Sequence, residues 1–337
     1  MTTSPTDLGD GIGQIPVPIP FKGLDWVNAY VVAGADGLVL VDCGVDDPDG
    51  EEALRLGLKT LGHDLGEVHT LVVSHLHPDH VGLAPRLLEQ YPDMAFVMHE
   101  RVDHALPIYN RPEAWGPEFA ATARAHGAPR DFWEFFDTEV PAPDWWRLVE
   151  PPSTTVADGD RIRVDDDRHL EVLYTPGHEI AHICLRDSAT GVLFSGDHVL
   201  PRITPYIGWE DPDRDPDPLG NFIDSLIRIR DGGFGTTFPA HGGIIERGSA
   251  RADQILLHHE RRLGDTMHEI VEPATAWTVA GELFRPNLDV FHKRLAMRET
   301  LAHLEYLRLD GKAARDARAE ILFYRAAVRD LAVHLDR

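Results

Sequence analysis

The densest chemistry in this 337-residue chain is the run Ser74-His75-Leu76-His77-Pro78-Asp79-His80. Three histidines and an aspartate lie directly behind the apolar stretch Thr70-Leu71-Val72-Val73. A strand that runs out into such a loop delivers its side chains to one point. Neutral imidazoles and carboxylates suit Zn²⁺, Fe or Mn²⁺ better than they suit a core. Similar punctuation recurs at the ends of other apolar runs: Asp42 in Val-Asp-Cys-Gly, His178 in Tyr-Thr-Pro-Gly-His, Asp197 in Phe-Ser-Gly-Asp-His and His241 in Phe-Pro-Ala-His-Gly. Glycine or proline beside each lets the backbone turn sharply and aim the side chain. A lone histidine after a strand is commonly structural. Several that could share one sheet edge point to a metal centre.

The elements that must position these residues read as an α/β layered fold. Runs 28–33 and 37–42 are strands joined by a Gly34-Ala35-Asp36 hairpin signal. Residues 50–61 form an amphipathic helix, 68–73 a buried strand, 81–91 a helix and 94–98 another strand. The aromatic-rich stretch 101–146, with Tyr109, Trp115, Phe119, Phe132, Trp133, Phe135, Phe136, Trp145 and Trp146, interrupts the rhythm. It predicts two helices, around 117–126 and 129–136, that pack on the sheet or wall an apolar substrate pocket. Strands return at 161–164, 169–174, 182–185 and 192–195. An acidic, proline-rich connection at 209–218 precedes a helix at 219–230 and a short strand at 237–239. From residue 249 the character changes to helices at 250–270, 278–284 and 290–309. An Asp310-Gly311-Lys312 turn and the apolar run 319–324, strand or helix, complete a winged-helix-like module. The expected division is therefore 1–248 and 249–337.

Composition narrows the partners. The formal charge of −24 repels phosphate backbones, so nucleic acid is disfavoured. No apolar run is long enough to span a bilayer. The first residues show no basic segment leading into an apolar one, so a cytoplasmic location is expected. Cys43 and Cys184 sit apart in apolar settings and read as reduced, buried thiols.

The ordered motifs resemble those of the metallo-β-lactamase-fold hydrolases, whose HxHxDH loop with later His, Asp and His is matched over roughly residues 12–246. The resemblance implies an αββα sandwich with metals at one edge of two central sheets. By motif position, His75, His77 and His178 would hold one ion and Asp79, His80 and His241 a second, with Asp197 bridging them. Two neighbouring cations repel, so a bridging carboxylate is needed. Together they bring bound water to a pKa near about 7 and hold a developing oxyanion. The expected cofactors are two divalent ions, zinc first, with iron or manganese as alternatives. The expected catalytic groups are metal-bound water and Asp79, which orients it or takes its proton. Asp42, His182 and His198 are expected to support the site without binding metal. His99, His104 and His126 are expected at the surface, with lining of the pocket as the alternative, and His258 and His259 outside any ligand set.

Departures from the pattern narrow the class. Class B β-lactamases commonly place cysteine where Asp197 stands. A basic glutathione-binding signature and the long insertion of the β-CASP nucleases are missing. The C-terminal runs 254–262 and 300–307 resemble the lactamase-beta-like subfamily with a winged-helix tail. These features imply a hydrolase of an acyl thioester, ester or lactone acting on a small-molecule acyl substrate, and they leave a homodimer open. The alternatives are a single-strand endoribonuclease and a mononuclear-iron persulfide dioxygenase.

Overall fold

A computed structural model describes residues 4–21, 23–138, 143–144 and 146–335. Seven strands form the first sheet, in the order in which they occur along the chain: β1 (Thr6–Gly9), β2 (Ile12–Phe21), β3 (Leu24–Gly34), β4 (Gly37–Val41), β5 (Val68–Val72), β6 (Ala95–His99) and β7 (Thr154–Val156). Pairing is antiparallel from β1 to β4 and parallel from β4 to β7. The second sheet contains β8 (Arg161–Arg163), β9 (His169–Tyr174), β10 (Ile183–Asp187), β11 (Leu193–Gly196) and β12 (Thr237–Pro239), in the order β12-β11-β10-β9-β8. Only its β11–β12 pair is parallel among the pairings described.

The core lies between the sheets. Val32, Val39, Val41, Val72 and Val97 from the first meet Leu170, Val172, Ile183, Leu185 and Phe194 from the second. Tyr30 crosses the layer, stacked on Phe238 at 5.6 Å and edge-on to Phe194 at 5.3 Å. Helix α1 (Pro48–Thr60) starts at the Asp47 cap, whose carboxylate accepts from the Asp49 N–H, and has proline in its first turn. Its Leu54 and Leu58 are buried while Leu56 is 46% exposed, as the helical period requires.

Local sequence rules explain where the expected elements needed correction. The helix expected over 81–91 is two, α2 (Pro78–Val81) and α3 (Ala84–Gln90). Between them Gly82 packs so closely that a Cβ there would lie 2.4 Å from the Pro78 carbonyl oxygen. Strand β2 escaped the sequence reading because Pro16, Pro18 and Pro20 alternate through it. Its pairing to β1 ends by Gln14, so the prolines lie where β2 is an edge, the position that tolerates a missing donor.

The chain divides into two compact units. The first comprises 1–110, 143–205 and 228–252, and the second 111–142, 206–227 and 253–337. The first holds both sheets and α4 (Val102–Tyr109), in which Tyr109 stacks on Trp146 at 4.1 Å. The second contains α5 (Pro112–Ala125) and α6 (Arg130–Phe136). Helix α7 (Pro218–Asp231) runs from one set of residues to the other. The second unit also holds α8 (Gly248–Glu269) from Asp253 onward, α9 (Ala276–Leu283), α10 (Val290–Leu309) and the hairpin β13 (Ala313–Arg318) and β14 (Ile321–Ala326).

The insertion's aromatics fall into separate groups. Phe119, Phe132 and Phe136 cluster with Met297 of α10, flanked by Trp277 and Val290. Trp145 lies outside the described residues. The run 319–324 straddles a hairpin: Ala319 and Glu320 both take positive φ, 47° and 70°, as a two-residue turn between twisted strands demands. His126, expected at the surface, is buried and stacked on Tyr324.

Candidate metal centre

The C-terminal ends of β4, β5, β9, β11 and β12 open onto one edge of the sandwich, and each is followed by a candidate side chain. After β5 the backbone turns through Ser74 and His75, and His77 serves as N-cap of α2, which carries Asp79 and His80. Two groups of possible ligand atoms result. His75, His77, His178 and Asp197 form one; Asp79, His80 and His241 form the other. The seven residues named from motif position lie in these two groups, Asp197 with His75, His77 and His178. The acidic connection at 209–218 is not among the groups found in the described residues.

Distances set out the first group. His77 Nδ1 lies 2.9 Å from His75 Nε2 and 3.0 Å from His178 Nε2. His178 Nε2 is 3.5 Å from Asp197 Oδ2. In the second group His241 Nε2 is 3.2 Å and His80 Nε2 3.7 Å from Asp79 Oδ2. Asp197 reaches this group too: its Oδ2 is 3.6 Å from His80 Nε2 and its Oδ1 3.5 Å from His241 Nε2. The carboxylate stands between the two groups, as a bridge must. Neighbouring ligands around a tetrahedral zinc at 2.0–2.1 Å are separated by about 3.3 Å, and these spacings bracket that value.

The proton inventory also fits a cation. Asp42 Oδ1 accepts the Ser74 N–H at 2.7 Å, and its Oδ2 accepts the Ser74 hydroxyl at 2.9 Å and His80 Nδ1 at 2.8 Å. His75 Nδ1, 3.0 Å from Ser74 Oγ, donates to it. His241 Nδ1 donates to the Trp26 carbonyl at 2.9 Å. Assigned from these partners, His75, His80 and His241 each carry a proton on Nδ1 and turn Nε2 inward. Buried His80 Nε2 and Asp197 Oδ1 have no hydrogen-bond partner. Burial, reinforced by neighbouring imidazoles, holds His75 well below its ordinary pKa. Burial also lowers His77 to about 3. Inward-facing nitrogens on rings that burial keeps neutral are the donors that a divalent ion requires.

The second group differs in charge. Burial opposes ionisation, yet Asp79, Asp42 and Asp197 together raise His80 well above the ordinary imidazole value. His241 is raised by Asp197 and Asp79 against the same burial. Conversely, His80 and His241 outweigh burial to keep the Asp79 carboxyl below its usual range, and Asp197 lies further below it. Both carboxylates are therefore ionised at neutral pH and available as ligands.

Supporting residues are placed as follows. Asp42 bridges Ser74 and His80 from a left-handed backbone with φ 59°. His182 is fully buried, with Nε2 accepting the Asp197 N–H at 3.1 Å. His198 is also fully buried, 6.0 Å from the His182 ring. His99, expected at the surface, is buried and stacked on Tyr174 at 4.0 Å. His104 is partly exposed. His259, outside both groups, is buried 3.2 Å from His303. Cys43 and Cys184 are free, buried thiols, and burial pushes Cys184 up to about 12.

The sequence reading missed the residues that hold the His241 loop. Asn28 N–H donates to the Ala240 carbonyl at 2.7 Å, and its Nδ2 donates to Pro239 and Gly242 carbonyls at 3.0 Å each. Tyr30 O–H donates to the Pro239 carbonyl at 2.8 Å. One signal was available: asparagine is a poor strand residue, yet Asn28 lies inside β3.

Comparison with known proteins extends these observations. The profile described as "Metallo-beta-lactamase superfamily" matches residues 23–241, and "Metallo-beta-lactamase-like, C-terminal domain" matches 263–327. A protein of Bacillus subtilis (strain 168), "Probable metallo-hydrolase YqjP", is 28% identical over 87% of this chain and 91% of its own length. The human "Acyl-coenzyme A thioesterase MBLAC2" is 30% identical over 60% of this chain and 71% of its own. Among solved structures, a metallo-beta-lactamase family protein from Thermus thermophilus is 30% identical, with a TM-score of 0.78 over 95% of this chain and 100% of its own.

Proposed function

The chain belongs to the metallo-beta-lactamase superfamily, and from that premise we propose that it is a dinuclear metal-dependent hydrolase of acyl thioesters, with carboxylic esters and lactones as chemically related substrates. The observation that carries this reading is the position of Asp197 between two convergent ligand groups. His75, His77 and His178 would hold one divalent ion, Asp79, His80 and His241 the other, and Asp197 both. Zinc is the proposed metal, since imidazole and carboxylate donors at these spacings suit it. Such ions supply a nucleophile at neutral pH and polarise a carbonyl.

This chain's own residues do the rest. Asp79, ionised and 3.2 Å from His241, would orient the nucleophile and accept its proton. Asp42 and Ser74 fix the faces that His75 and His80 present. The thioesterase name of the human relative and the metallo-hydrolase name of the bacterial one support the reaction class. No helix among the described residues is long and apolar enough to cross a membrane.

The test is a panel of acyl-CoA and acyl-thioester surrogates, aryl esters, lactones and phosphodiesters, assayed as purified, after chelation and after zinc is restored. Thioester turnover that is lost with chelator and recovered with zinc is expected. Turnover confined to phosphodiesters, or indifferent to chelation, overturns the proposal.

A further inference from the structure

A line of hydrogen bonds leads from the inter-sheet core to Asp197 and has only one consistent direction. A backbone N–H can only donate, so His182 Nε2, 3.1 Å from the Asp197 nitrogen, is an acceptor without a proton. The neutral ring therefore carries its proton on Nδ1, which lies 2.9 Å from Thr175 Oγ1 and donates to it. The Thr175 hydroxyl is then free to donate to Cys184 Sγ at 3.4 Å, and the Cys184 thiol donates to the Ser195 carbonyl at 3.5 Å. Every hydroxyl, thiol and ring proton along the line is used once.

The ring is confined from other sides. A Cβ on Gly196, whose φ is 49°, would lie 2.7 Å from His182 Nε2, so glycine is required where the ring meets the backbone. The rings of His75, His198 and His178 lie 5.0, 6.0 and 6.1 Å away. His182 is committed to the backbone of Asp197 and is not a ligand itself.

We propose that Thr175 and Cys184 are positioning residues for Asp197, acting through His182, whose ring they hold in the form protonated on Nδ1. Free histidine in water favours the other tautomer, so the environment must impose this one. If Thr175 no longer accepts the Nδ1 proton, the ring can move its proton to Nε2. It would then oppose the Asp197 N–H and displace the carboxylate between the two ligand groups. The consequence for metal binding rests on the dinuclear reading; the location of the His182 proton does not.

The experiment pairs two readouts on full-length protein. Imidazole ¹⁵N–¹H correlation spectra of the metal-free protein report which nitrogen of His182 carries the proton. Competition with a chromophoric chelator reports zinc affinity. Wild type is expected to show Nδ1–H. Thr175→Val is expected to shift His182 towards Nε2–H and to weaken zinc binding about 10–100-fold, the usual scale for groups that orient metal ligands. Thr175→Ser, which keeps the hydroxyl, is expected to preserve both wild-type readings. Nε2–H in wild type overturns the proposal. So does Thr175→Val with unchanged affinity, or with weakened affinity and unchanged His182. If wild type binds no zinc, the dinuclear reading falls, while the His182 proton still decides the positioning claim.

Discussion

Replacing Asp42 by asparagine isolates what that carboxylate does. Asp42 sits at φ 59°, a region asparagine also tolerates, so Asp42→Asn adds little backbone strain. The retained Oδ1 still accepts the Ser74 N–H. The new Nδ2 faces both the Ser74 hydroxyl and His80 Nδ1, formerly 2.9 and 2.8 Å from an acceptor. Serine can turn its hydroxyl and accept. His80 cannot keep its Nδ1–H against a second donor, so the ring loses the partner that sets which way Nε2 faces towards Asp79 and Asp197. The one charge-assisted bond lost is worth about 1.5–3 kcal/mol, so the variant should lose about that much stability. Binding at the His80 side should weaken about 10–100-fold. Metal titration and urea unfolding of the apo-protein read the two effects. A variant that binds two ions with wild-type affinity would refute the assigned proton positions.

Three further outcomes follow from packing and burial. Gly57→Ala should destabilise by about 1–2 kcal/mol despite alanine's better helix propensity, because its Cβ would lie 2.4 Å from Ile15 Cγ2. Gly264→Ala, with nothing within 4 Å, should instead stabilise by up to about 1 kcal/mol, and thermal unfolding distinguishes the pair. Burial lowers His303 to about 4, so between the unfolded value near about 6.5 and about 4 the unfolded chain binds the extra proton. That residue's contribution is therefore complete above about pH 6.5 and falls by about 2–3 kcal/mol on acidification to about pH 4.5. Urea unfolding of wild type against His303→Asn across this range should show the variant with the shallower slope. Loss of the difference would place His303 in contact with water.

The metal-site pattern was legible because it is local. Histidine and aspartate at strand ends, each beside glycine or proline, announce themselves within a few residues. Long-range contacts leave no such trace. Asn28 holds the His241 loop across more than 200 positions, and nothing near Asn28 predicts its partner. Strand β2 was hidden because its prolines contradict strand propensity; only its position as an edge beyond Gln14 reconciles them. The aromatic insertion was visible as an anomaly, but whether Phe119 and Phe136 meet a sheet or Met297 depends on tertiary packing that composition does not encode. His99 and His126 were misplaced for the same reason: stacking on Tyr174 and Tyr324 buries them.

The most direct measurement is an anomalous-scattering map of crystals grown with zinc, collected on both sides of the zinc absorption edge. Two peaks per chain are predicted, one among His75, His77 and His178 and one among Asp79, His80 and His241, with Asp197 in contact with both. A single peak, or peaks away from Asp197, would contradict the dinuclear account.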